Sequence, residues 1–157
     1  MVQSLITGLE NEHTYTPKPS DARTIQQARL LVTVGLGLEA WIEPLIKNAD
    51  RPDLVHVISS DHVPLLSDRG ASHHKASDLR HGRGNPHIWL DPENVKIMIK
   101  NITHGLIRVR PDHQEIYRKN EANFIRALEQ LTGEMIGKVN GVPSHQRKIV
   151  THHPAWP

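Results

Sequence analysis

Asn85-Pro86-His87-Ile88-Trp89-Leu90-Asp91-Pro92 sets one histidine between a rigid turn and the start of a helix. Pro86 fixes its own φ and pushes Asn85 toward extended geometry, and the apolar run Ile88, Trp89, Leu90 is too short to be a helix. Asp91 reads as an N-cap, with Pro92 at the first helical position and Glu93 in the first turn. Val95, Met98, Ile99, Ile102, Leu106 and Val109 then recur at helical spacing, which predicts a core-facing helix. His87 is therefore held where a loop enters the core. A lone histidine in such a place is more often a structural hydrogen-bonding group than a ligand, so its role depends on what else the chain brings.

On the N-terminal side, Leu30-Leu31-Val32-Thr33-Val34 and Leu54-Val55-His56-Val57-Ile58-Ser59 read as short buried strands. Ser20 is expected to cap a helix running to about Arg29, with Asp21 in its first turn, after the stiff Pro17-Lys18-Pro19. Gly37-Leu38-Glu39-Ala40-Trp41 opens a second helix through about Asn48, with Trp41, Leu45 and Ile46 on one face. Strands alternating with helices predict an α/β fold with a parallel sheet. Val2 to Ile6 reads as a further short strand, followed by a polar loop carrying His13.

On the C-terminal side, Asp112-His113-Gln114-Glu115 resembles a capping box that opens a long helix. Tyr117, Phe124, Leu128, Leu131, Met135 and Val139 form its apolar stripe, and Asn140-Gly141 ends it. At 1.5 Å per residue such a rod spans roughly 40 Å, more than one small domain needs, and predicts a join between two lobes. Lys148-Ile149-Val150-Thr151 reads as the first strand of the next lobe. A strand left without partners gives the expectation of a truncated chain.

Composition narrows the chemistry. The 157 residues amount to about one domain, 37% hydrophobic, with a net charge of only +2, so no dense basic surface for nucleic acid is expected. No run of 18 apolar residues predicts membrane insertion, and the first residues lack the pattern of a signal peptide; as written, the chain carries no export address and would stay cytoplasmic. With no cysteine, a metal could be held only by His, Asp, Glu or water. Twelve histidines stand against three Trp, two Tyr and one Phe. Between Ser60 and Pro86 periodicity is lost, and His62, His73, His74 and His81 make either a solvated polar loop or a low-affinity metal-collecting tract.

Four stretches share an order: His13-Thr14-Tyr15-Thr16-Pro17-Lys18-Pro19-Ser20-Asp21; Gly35-Leu36-Gly37-Leu38-Glu39 with Trp41; Asn85 through Pro92; and Thr151-His152-His153-Pro154-Ala155-Trp156. Together they resemble the substrate-binding proteins of bacterial zinc and manganese ABC importers, whose two lobes are joined by a single long helix. The resemblance implies His13, His87 and His153 as metal ligands, with His152 the alternative to the last. It implies a metal between two α/β lobes, a membrane permease as partner, and a periplasmic location. It also implies that a signal, a first strand and helix, and most of the second lobe with a carboxylate ligand are missing.

The expected fold class is thus α/β: a partial parallel-sheet lobe with flanking helices, a long connecting helix, and the first strand of a missing second lobe. Residues 1–110 would form the metal-binding lobe, 111–141 the connecting helix, and 142–157 the start of the second lobe. Three imidazoles at about 2.0 to 2.1 Å with one oxygen suit tetrahedral zinc, and a third histidine favours zinc over manganese. A zinc hydrolase would use similar ligands, yet no His-Glu-x-x-His helix or neighbouring general base is present, so no enzyme is expected. The remaining alternative is a non-functional or weakly binding remnant, and self-association of the truncated chain is expected.

Overall fold

Two short apolar runs pair in parallel to form the sheet of the computed structural model, which describes residues 1–65, 85–151 and Ala155. Strands β1 (Leu30–Thr33) and β2 (Val55–Ile58) run in register from Leu30 opposite Val55 to Thr33 opposite Ile58. Alternation along β1 buries Leu31 and Thr33 and leaves Val32 at the surface. Leu31 joins Ile25 and Ile42 in a core cluster that Leu5, Trp41, Leu45, Ile46, Ala49 and Leu54 complete. Helices α1 (Pro19–Gln27) and α2 (Glu43–Ala49) supply most of that cover. Between the strands, Thr33 and His56 meet at 2.9 Å, and burial pushes the His56 imidazole below its ordinary range.

Helix α3 (Pro92–Val109) packs on the strands from the other side, and a glycine sets the distance. A Cβ on Gly105 would overlap the Val57 side chain and stand 3.1 Å from Leu30 Cδ1. Gly105→Ala should therefore destabilise the chain by about 1 to 2 kcal/mol, overpacking outweighing the better helix propensity of alanine. Urea unfolding checks this; a variant as stable as the parent would mean that α3 can move off the sheet at no cost.

Helix α4 (Gln114–Asn140) lies against α3, tied by Lys96 to Glu129 at 3.2 Å. Its 27 residues span about 40 Å, as expected. No residue of α4 is buried. Of the expected stripe, Tyr117 and Leu128 are half-covered, while Phe124, Leu131, Met135 and Val139 are about half exposed.

Several expected starts move. Helix α1 begins at Pro19 after Lys18, not after Ser20, because the Asp21 carboxylate reaches back to the Lys18 N–H at 2.7 Å. The segment from Gly37 is not helical: Gly35, Leu36 and Gly37 all have positive φ, and a 3-10 turn at Ala40–Ile42 precedes α2. A 3-10 turn at Pro111–His113 precedes α4, and Asp112 does not cap it, its carboxylate being held at 3.1 Å by Arg110. Among the described residues neither Val2 to Ile6 nor Lys148 to Thr151 forms a strand. No described strand pairs with the second of these, and Ile149 and Val150 lie exposed.

Candidate metal centre

His13 is presented by a loop with several braces. The Asn11 side chain accepts from the His13 N–H at 2.9 Å, and the Trp41 indole donates to the Glu12 carbonyl at 2.9 Å. Tyr15 sets its ring edge-on to Trp41, 4.8 Å between centroids, and is buried. Its hydroxyl donates to Asp21 at 2.8 Å, and that bond holds the phenol above its usual pKa range. The same Asp21 oxygen accepts from the Lys18 N–H, so the entry to α1 and the loop carrying His13 share one buried carboxylate. Trp41 itself follows the positive-φ turn after β1, where Glu39 accepts from the N–H groups of Val34 (2.6 Å) and Gly35 (2.9 Å).

His87 lies at the N-terminal edge of a 3-10 turn, Ile88–Leu90, which leads directly into α3. As the sequence predicts, Asp91 caps that helix by accepting from the Glu93 N–H at 2.9 Å. Buried Ile88 anchors the turn, and Asn94 donates to its carbonyl at 3.2 Å. The Asn85 side-chain oxygen accepts twice from His87, from the backbone N–H at 3.1 Å and from Nδ1 at 2.6 Å. Trp89 flanks the ring, with centroids 5.2 Å apart.

These loops bring His13 Nε2 and His87 Nε2 to 3.4 Å. Without a cation, one shared proton satisfies the contact. With one, the spacing fits: a tetrahedral ion with Zn–N bonds of about 2.0 to 2.1 Å holds its nitrogens roughly 3.3 to 3.4 Å apart. Glu12 completes a group in which one ligand atom from each of Glu12, His13 and His87 lies within 4.8 Å of the others. Glu12 belongs to no motif, and its one signal in the sequence is a carboxylate directly before His13. His62 is described, exposed, and apart from this group, lining a cleft with His56 and His104. His73, His74, His81, His152 and His153 lie outside the described residues.

The profile of the family described as zinc-uptake complex component A, periplasmic, matches residues 1–157. The chain belongs to this family. The manganese-binding lipoprotein MntA of Halalkalibacterium halodurans is 32% identical over 148 residues, covering 94% of this chain and 45% of its own length. The iron ABC transporter substrate-binding lipoprotein MtsA of Streptococcus pyogenes serotype M1 is 30% identical, with 96% and 48% covered. A crystal structure of a zinc-bound ZnuA deletion mutant superposes with a TM-score of 0.81 at 31% identity, over 97% of this chain and 54% of that one. The chain spans about half the length of the curated relatives it matches. The zinc-uptake component A family is one of metal-transport components, not enzymes, and its α/β fold is the one seen here. Among the described residues no helix is long and apolar enough to cross a membrane.

Proposed function

We propose that this zinc-uptake component A relative supplies the metal-capturing lobe of an extracytoplasmic solute-binding component and delivers a divalent transition metal, zinc first, to an ABC-type permease. His13 and His87 would be two of the ligands and His153 the third. Residues 1–110 would form the capturing lobe, 111–141 the connecting helix, and 142–157 the beginning of the second lobe. The observation that carries this reading is the 3.4 Å Nε2 to Nε2 separation beside the Glu12 carboxylate. Two imidazoles at the edge length of a zinc tetrahedron are costly to hold together unless a proton or a cation sits between them. The histidines of residues 62 to 81 would raise capture capacity rather than form the principal site.

Manganese is the second reading. Glu12 adds a hard oxygen to the group, which suits manganese better than a third imidazole does, and relatives are named for manganese and iron. Affinity alone separates these metals poorly, since zinc outranks manganese and iron(II) on most nitrogen and oxygen sites. Geometry is the better test. Cobalt(II) loaded into the site should give the intense visible absorption of a tetrahedral, nitrogen-rich ion, displaced by one equivalent of zinc. A weak octahedral spectrum, with manganese competing at equal concentration, would overturn the zinc assignment.

A further inference from the structure

The amide of Asn85 bridges two parts of the chain 70 residues apart. Its orientation is fixed from both ends. The His87 backbone N–H can only donate, so the atom facing it is oxygen; the Ala155 carbonyl can only accept, so the atom 3.1 Å from it is the amide nitrogen. That oxygen also lies 2.6 Å from His87 Nδ1, which must therefore carry the proton. A neutral His87 then has its lone pair on Nε2, the atom that faces His13.

We propose that Asn85 is a positioning residue whose one amide sets the His87 tautomer for metal binding and at the same time holds Ala155 through its carbonyl. This rests on the metal-binding reading given above. An Nδ1–H bonded to an outer acceptor fixes the ring plane and raises the basicity of the ligating nitrogen. No other small side chain does both tasks. Aspartate keeps the acceptor for His87 but turns an oxygen toward the Ala155 carbonyl, while alanine loses both contacts, so Asn85→Asp and Asn85→Ala separate the two roles.

The test uses the whole chain without metal, labelled with nitrogen-15, at about pH 8.5, where imidazoles are ordinarily neutral. Long-range proton–nitrogen spectra read the His87 tautomer, and relaxation of the Ala155 amide reads the order of that residue. The parent should show His87 protonated at Nδ1 and an ordered Ala155. In Asn85→Asp the tautomer should persist while Ala155 loosens; in Asn85→Ala the ring should shift toward the Nε2-protonated form and Ala155 should loosen as well. Dispersed resonances from β1 and β2 show that the variants fold, and if the alanine variant does not, the aspartate variant decides alone. A parent His87 protonated at Nε2, or an Asn85→Asp variant with Ala155 as ordered as in the parent, would overturn the proposal. Zinc titration of the same samples keeps the two readings apart. Asn85→Ala should bind roughly 10- to 100-fold more weakly than the parent. A parent that binds no zinc would sink the metal reading while the tautomer and Ala155 measurements still decide the role of Asn85.

Discussion

Replacing His87 by alanine should weaken zinc binding at least about 100-fold, some 2.7 kcal/mol, because it removes one nitrogen of a facing pair instead of an outer support. His13→Ala should cost as much. The two losses should not add in the double variant, since either breaks the facing pair and leaves a set that water and Glu12 cannot restore to a nitrogen-rich site. Alanine at both His73 and His74 should change the tight site less than about threefold, although the number of weakly held ions should fall. Isothermal titration under a competing chelator measures all four. Folding should be little affected, because His13 is exposed and His87 half-buried, and neither belongs to the core around Ile25, Leu31 and Ile42. If the loop pair mattered more than His87, the principal site would lie in the loop.

The other large effect concerns α4. Leu131, Met135, Ile136 and Val139 are each more than half exposed, and the last three line an apolar groove with Pro92 at the start of α3. Each large apolar side chain left in water forgoes roughly 1.5 to 3 kcal/mol of burial when fully exposed, so half-exposure of four leaves several kcal/mol available to any apolar partner. For the chain by itself, the expected partner is another copy. Sedimentation should show concentration-dependent association, and Leu131→Lys with Ile136→Glu should return the chain to a monomer without lowering its unfolding midpoint. A parent that stays monomeric at high concentration would show that these side chains rearrange to cover one another.

Much of this arrangement was legible because the signals were local. Asp91 before Pro92 is a cap with its partner two residues on, and Leu30 to Thr33 and Val55 to Ile58 are short β-branched and apolar runs set between helical stretches, the pattern of paired parallel strands. The misplaced helix starts share one cause: a side chain found a partner that sequence spacing does not reveal. Asp21 went to Lys18 and Tyr15, Glu39 to the amides of Val34 and Gly35, and Asp112 to Arg110. Val2 to Ile6 and Lys148 to Thr151 have strand composition, but a strand exists only where another backbone pairs with it. The site was half legible. His13 and His87 were named through their motifs, and the fold brings them together; Glu12 carries no motif of its own and emerges only once the loop is closed onto Trp41.

The most direct test of the metal reading is an anomalous difference map at the zinc edge, from crystals of the chain grown with one equivalent of zinc. The account predicts one dominant peak about 2.0 to 2.1 Å from Nε2 of both His13 and His87. A dominant peak in the cleft of His56, His62 and His104, or at the histidines of the 62 to 81 segment with none between His13 and His87, would contradict it.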